Sequence, residues 1–297
     1  MLERCISGLV SAGVDEVILA LGFRPDTFER AFPDGRIDGV RLRYAVEPEP
    51  LDTAGAVRFA ASQAGVNERL LVLNGDVLTD LDVGRLIELH ERSAGRATIH
   101  LTEVDDPSRF GVVPIDDTNR VEAFVEKPPA ETAPSRWINA GTYVFEPEVV
   151  SAIPAGRPVS MEREVFPQLV EDGHLYALQD DSYWIDAGTP QAYLEASLDL
   201  IDGTRDEEPA VHDTATVHHD ATVRRSVISR DATVSAGASV LDSVVLDGAQ
   251  VGPGATISGS IIGPRGRIGA AASLTHLCVT GDDAQIAEGA AHAGERL

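Results

Sequence analysis

The sequence predicts an α/β domain followed by a coil of very short parallel strands. Two observations predict it. Helix-like and strand-like segments alternate up to about residue 200, and beyond "IDGTRDEEPA" aliphatic residues recur every six positions.

In the first regime, "MLERCISGLVSAG" puts Leu2, Cys5, Ile6, Leu9 and Val10 on one helical face, and Gly13 ends the helix. Short buried runs follow: "EVILAL" at 16–21, "RLRYAV" at 41–46 and "RLLVLNGD" at 69–76. The segment "TAGAVRFAASQAG" reads as a helix between the second and third runs, which is the rhythm of an open α/β sheet. The strand-like segments "RATIHLTEV", "FGVVPID", "VEAFVEKP" and "NAGTYVFEP" lie closer together and imply an antiparallel extension.

In the second regime, Val211, Val217 and Val223 are six apart, as are Val234 and Val240, Val251 and Ile257, and Ile262 and Ile268. A small residue, often Ala, stands two places before each aliphatic and reads as the corner of the repeat. No single helix or ordinary sheet has this period, whereas a coil whose turns bury one face against the next does. The spacing slips between Val223 and Ile228, which predicts one irregular corner. This tail is similar to the left-handed parallel β-helix of hexapeptide-repeat proteins. The boundaries that follow are 1–203 for the α/β domain and 210–297 for the coil.

Composition narrows the partners. A formal charge of -24 excludes nucleic acid and anionic membrane, since either needs a basic face. No apolar stretch reaches the ~18 residues of a membrane span and no signal peptide opens the chain, so the protein is read as cytoplasmic. Cys5 and Cys278 are too few and too far apart for a disulfide framework or a cysteine metal site. Lys127 is the sole lysine among 24 basic residues. Acid excess with almost no lysine suggests a halophilic, salt-loaded cytoplasm, and codon bias in a GC-rich genome is the alternative.

Two acids stand at chemically informative places. Asp76 ends the buried run "LVLNGD", and ligands collect at the carboxyl ends of strands in open α/β sheets. Asp186 follows the aromatic and apolar "YWI". Two carboxylates brought together repel unless a cation lies between them, and Mg²⁺ takes one or two carboxylates plus substrate phosphates.

The motifs "EPEPLDTAGAV", "LVLNGDVLTD", "RFGVV", "VEAFVEKP", "INAGTYVF" and "YWIDAGTP", in this order before hexapeptide repeats, resemble the nucleoside-diphosphate-sugar pyrophosphorylases, the sugar-1-phosphate nucleotidyltransferases. The likeness is nearest to the mannose-1-phosphate guanylyltransferase and glucose-1-phosphate thymidylyl- or uridylyltransferase branches. It implies a Rossmann-like nucleotidyltransferase domain that joins a nucleoside triphosphate to a sugar 1-phosphate and releases pyrophosphate. It also implies Mg²⁺ held by Asp76 and Asp186, with Lys127 on the sugar phosphate. A compact ammonium reaches one phosphate oxygen where a guanidinium fork would crowd its neighbours. Sugar contacts fall on Glu126, Gly111, Asn139 and Glu162, nucleotide contacts on Glu47, Asp52, Thr53 and Ala54, and a homo-oligomer is expected.

The sequence departs from the family in two places. Asp52 stands where "LGTAG" has a glycine, so a side chain is expected to intrude near the nucleobase. The chain also opens after the family's first strand and its G-x-G-T-R loop. A sheet lacking that central strand would leave two strands facing a gap, and the expectation is a true start roughly 25–35 residues upstream, the length of a βα lead-in. A non-catalytic, sugar-nucleotide-binding regulatory paralogue is the alternative. Acyl transfer on the coil, with His218, His219 or His276 as base, is a third class, although these histidines read as exposed corners.

Overall fold

The computed structural model describes residues 2–10, 12–22, 25–205 and 208–297. It divides into two compact units, Met1–Trp184 and Ile185–Leu297.

The first unit opens with α1 (Leu2–Val10), β1 (Glu16–Leu21), α2 (Pro25–Ala31), β2 (Arg36–Ile37) and β3 (Val40–Val46). Ile6 and Leu9 are buried on α1, whereas Val10 is 44% exposed, so the apolar face is narrower than its spacing suggests. β1 runs parallel to β3, and β2 returns antiparallel.

Next come α3 (Asp52–Ala64), β4 (Leu70–Leu73), β5 (Val77–Thr79), α4 (Val83–Arg92) and β6 (Ala97–Glu103). α3 occupies the expected helical segment and stops at Gly65, whose φ of 68° supplies the left-handed cap. The closely spaced later strands are β7 (Gly111–Val112), β8 (Val125–Glu126) and β9 (Trp137–Phe145), followed by α5 (Pro147–Ala152), α6 (Phe166–Glu171) and β10 (Leu175–Gln179).

These strands form a mixed sheet in the order β10-β6-β9-β7-β8, with β4 also paired to β9. The antiparallel extension is therefore present. β1 and β4 belong to different sheets, as expected of two strands that face a gap, and side chains rather than a ladder join them. Val17 of β1 packs with Leu71 and Leu73 of β4 around Leu9 and Leu86. One face of the mixed sheet carries the largest core, where the Tyr143, Phe145 and Phe166 rings meet.

On the opposite face, His100 of β6 is fully buried and neither ring nitrogen has a hydrogen-bond partner among the described residues. Burial lowers its pKa from 6.5 to about 4, only partly opposed by the nearby Asp180 carboxylate. Asp180 itself is paired with Arg85 at 2.6 Å.

The second unit begins at Ile185 and includes α7 (Pro190–Asp199) and the coil. α7 belongs with this unit because it buries Leu194 and Leu198 against Val244 and Ile261 of the coil. Strands on three faces stack in parallel with a 17-residue offset, as in Val217↔Val234↔Val251↔Ile268. The last turn lengthens to 18, pairing Ile268 with Ile286. Six-residue steps alone would give 18, so a regular turn contains one step of five. The slip at Val223 to Ile228 recurs at Val240 to Val245 and Ile257 to Ile262, which makes the single irregular corner a feature of each of these turns.

A stack of serines accompanies the short step. Ser226, Ser243 and Ser260 are buried, and the hydroxyls of Ser226 and Ser243 accept from the backbone N–H of the next serine at 3.1 Å. Cys278 continues the column, its N–H reaching Ser260 Oγ at 3.2 Å. Each serine also donates to a carbonyl two residues earlier. A side-chain oxygen thus takes the acceptor role that a backbone carbonyl fills on the longer faces.

The small residues are not themselves the corners. Ala232, Ala238, Ala249, Ala255 and Ala272 lie inside the coil, at most 1% exposed, and the residue before each one turns the chain. Those turning residues, Asp231, Gly237, Gly248, Gly254 and Ala271, have φ between 54° and 67°. That region disfavours a Cβ, so Ala271 is strained where its counterparts are mostly glycine.

Ala271→Gly should therefore stabilise the protein by about 0.5–1 kcal/mol in urea unfolding, the relief of left-handed strain outweighing the added freedom of the unfolded chain. His100 contributes the opposite sign of pH dependence from a salt-bridged histidine. Its neutral, buried state contributes full stability above about pH 6.5, and that contribution is lost as pH falls through about 4. His100→Leu should flatten the fall in unfolding free energy between pH 7 and 4 by up to about 3 kcal/mol, read from urea unfolding at fixed salt.

Candidate active site

The site grows from an interruption in β9. β6 pairs Ile99 with Tyr143 and Leu101 with Asn139, so β9 carries two extra residues in that interval. Four residues of regular strand span roughly 13 Å. The bulge instead brings residues four apart into contact, with Asn139 Nδ2 donating to Tyr143 Oη at 2.9 Å. Gly141, at φ 82°, is the turning point. Trp184 pins the bulge by donating from Nε1 to the Ala140 carbonyl at 2.8 Å, and stacks edge-on against Phe110.

The other edge of β9 changes partner at the same place. β4 pairs with Thr142–Phe145 and β7 with Ile138, leaving the bulge between the two. Asn74 enters here as β4 ends: its N–H donates to Gly141 O at 2.8 Å, and a Cβ on Gly141 would lie 2.8 Å from Asn74 Nδ2. Asp76 follows two residues later, exposed at the carboxyl end of β4, where the sequence predicted an acid at a site mouth.

On the far side, β7 and β8 pair Gly111 with Glu126. The space a Cβ would need at Gly111 is taken by the Phe124 ring at 2.5 Å, with Glu126 Oε2 at 3.2 Å. Gly111 is thus required by packing around Glu126. Tyr143 shows how closely these groups converge. Burial raises its pKa, Asn139 acts in the opposite sense, and the Glu162 and Glu126 carboxylates raise it further, so the hydroxyl keeps its proton.

Lys127 follows Glu126 with its backbone at φ 48°, directly before Pro128. Its N–H donates to Phe110 O at 3.0 Å, and Nζ lies 3.3 Å from Glu126 Oε1 with the side chain 63% exposed. Left-handed backbone costs a non-glycine residue about 1–2 kcal/mol, and an exposed ion pair returns at most about 1 kcal/mol. The ion pair alone does not offset this strain, and the N–H bond to Phe110 O helps to hold the backbone there.

The third wall is the start of α3. Glu47 Oε2 accepts the Leu51 N–H at 2.9 Å and closes the turn into the helix. Asp52 has φ 60°, which explains the glycine expected there, and Asp is among the side chains that best tolerate this region. Its carboxylate accepts from Thr53 N–H at 2.8 Å and from Arg163 at 3.3 Å, so it is directed along the helix start.

Thr53 links α3 to the π-helical turn Met161–Val165, donating to Glu162 Oε2 at 2.9 Å and accepting the Met161 N–H at 2.8 Å. Ala54 is fully buried and its N–H donates to Val159 O at 2.9 Å, placing it beneath this surface. Asp186 belongs to the second unit, where it is half-buried and its Oδ1 accepts the Gly188 N–H at 2.9 Å.

Asn139 is hydrogen-bonded to Tyr143, the Glu126 and Glu162 carboxylates act on the Tyr143 hydroxyl electrostatically, and Gly111 pairs with Glu126; the sequence reading singles out neither Tyr143 nor Asn74. Each lay inside a quoted motif, Asn74 beside Asp76 and Tyr143 four residues after Asn139. A tyrosine in an otherwise apolar strand and the Asn-Gly step were the available signals.

This sheet-end constellation of carboxylates, amides and one exposed ammonium belongs to an α/β domain with a C-terminal coil of short strands. The nucleotidyl transferase family model matches residues 1–203, and the model of the GMPPB C-terminal domain matches residues 206–295. The chain belongs to the nucleotidyl transferase family. It is 41% identical over 226 residues to a mannose-1-phosphate guanylyltransferase of Mycobacterium tuberculosis, covering 73% of this chain and 62% of the relative. A probable mannose-1-phosphate guanylyltransferase 1 of Oryza sativa subsp. japonica is 35% identical, covering 73% and 64%. The chain spans about 60% of the length of such curated relatives. Among solved structures, HddC from Yersinia pseudotuberculosis complexed with GMP-PN is similar with a TM-score of 0.56 and 28% identity, covering 66% of this chain and 83% of that one.

Gly111→Ala should displace Phe124 and Glu126 together. We expect a loss of about 1–3 kcal/mol in thermal or urea unfolding. Asp117→Ala, an exposed change in the turn after β7, serves as a neutral control.

Proposed function

We propose that this chain forms a nucleoside-diphosphate sugar from a nucleoside triphosphate and a sugar 1-phosphate, with GTP and mannose 1-phosphate as the preferred pair. The observation that carries the reading is the convergence of Glu126, Asn139 and Glu162 on Tyr143 beside the strained Lys127. The names of its relatives supply the choice of base and sugar.

In this reading Glu126 and Asn139 accept and donate hydrogen bonds to sugar hydroxyls, with Glu162 joining from the π-helical turn. Lys127 holds the sugar phosphate. A phosphate oxygen of the sugar attacks the α-phosphorus, the new O–P bond forms, and the bond to the β-phosphate oxygen breaks with its electrons leaving on pyrophosphate. Little proton transfer is needed, so positioning and charge neutralisation account for most of the acceleration. Asp76 and Asp186 are the proposed Mg²⁺ ligands: both are hard oxygen donors, and the Gly188 N–H fixes the orientation of the Asp186 carboxylate. Bound Mg²⁺ would supply charge neutralisation on the phosphates. Glu47, Asp52 and Thr53 shape the nucleotide side, with Ala54 supporting them from below. A cytoplasmic, salt-adapted homo-oligomer is the proposed setting.

The test is Mg²⁺-dependent pyrophosphate release in molar KCl, over the four common triphosphates and mannose, glucose and N-acetylglucosamine 1-phosphates. GTP with mannose 1-phosphate should lead. Asp76→Asn should remove the turnover without unfolding the protein. Lys127→Arg should raise KM for the sugar 1-phosphate and lower kcat about tenfold or more, leaving triphosphate binding and Tm unchanged, because misplacement by ~1 Å can cost about a hundredfold. Unaltered kinetics in Lys127→Arg would reduce the lysine to a solvated cation. Binding of GDP-mannose without any turnover would support the regulatory alternative.

A further inference from the structure

We propose that a corner in the first turn of the coil, His218-His219-Asp220, binds one transition-metal ion of the Zn²⁺ class. These residues lie between the strands Thr216–Val217 and Thr222–Arg224. One ligand atom from each side chain can be chosen so that all lie within 4.8 Å of one another. His219 Nε2 is 3.3 Å from Asp220 Oδ1, His218 Nδ1 is 3.7 Å from Asp220 Oδ2, and the two imidazole rings stand 4.3 Å apart. A tetrahedral ion with bonds of about 2.0–2.1 Å wants its ligand atoms about 3.3 Å apart, so small rotations close the set.

The coil itself does not call for these side chains. The 17-residue register aligns this corner with Ser235-Ala236-Gly237, then Gly252-Pro253-Gly254, then Gly269-Ala270-Ala271, all small. The three polar side chains are 41%, 83% and 63% exposed, so they fill no core. His218 Nδ1 accepts the Asp220 N–H at 3.2 Å, and a bound ion would displace that one exposed hydrogen bond.

Two imidazoles and one carboxylate favour Zn²⁺, Co²⁺, Ni²⁺ or Cu²⁺ over Mg²⁺, which separates this site from the proposed catalytic cation. The overall charge of -24 enriches cations at the surface. Three protein ligands leave a fourth position for water.

The measurement is isothermal titration of the whole chain with Zn²⁺, supported by the visible spectrum of the Co²⁺ form. Wild type should bind one ion, with a rise in Tm on binding. His219→Ala should weaken binding at least tenfold and His218→Ala/His219→Ala should abolish it, both with unchanged circular dichroism. His276→Ala, which removes another exposed imidazole of the coil, should bind as wild type does, and excess Mg²⁺ should not compete. Zn²⁺ binding as tight in His219→Ala as in wild type, or no saturable binding below millimolar Zn²⁺, would overturn the proposal. Because none of these readouts involves nucleotidyl transfer, failure here is separable from failure of the catalytic reading.

Discussion

The interruption of β9 is the constraint from which the site follows. A regular strand would hold Asn139 and Tyr143 a dozen ångströms apart, and β4 and β7 would compete for one continuous edge. The two extra residues, turned at Gly141, bend the strand at the point where that edge passes from β4 to β7. Asn74 fits the opening only because Gly141 has no side chain. Core packing on one face of β9 and site geometry at its bulge are therefore properties of a single strand, with the Tyr143, Phe145 and Phe166 rings holding it from below.

Local devices act against a repulsive global charge. A net charge of -24 opposes the approach of any anion, and molar salt would shorten its reach to roughly 3 Å. Within that distance only nearby groups matter. Lys127 sits beside Glu126, which holds the ammonium near the sheet edge, and its backbone strain shows that the position is set by the fold rather than by the ion pair. Asp52 behaves similarly: the left-handed backbone is demanded by the entry into α3, and the aspartate satisfies it while pairing with Arg163.

The coil shows the same economy in its interior. Five-residue steps shorten one face, and buried serine hydroxyls carry the ladder there, so each oxygen both accepts from the next turn and donates to its own. Alanines fill the space under the longer corners, and the strain of turning falls on the residues before them. His218, His219 and Asp220 break this economy at one corner, and that break gives the metal proposal its address.

Periodicity made the architecture legible. The helix at 52–64, the strands at 97–103 and 137–145, and the parallel coil all follow from patterns of two, 3.6 and six that any stretch of sequence displays. Asp76, Glu126 and Lys127 were singled out because they sit in short motifs at strand ends, and Asn139 because it sits in one within β9. What the sequence could not display was register. The exposed Val10, the five-residue step repeating in successive turns, and the burial of the alanines inside the corners depend on which residues face each other in the folded chain. The contacts of Tyr143 and Asn74 escaped the sequence for the same reason. A chain pattern records which side of an element a residue occupies, whereas a bulge that brings residues four apart into contact is fixed only when neighbouring strands compete for the same backbone groups.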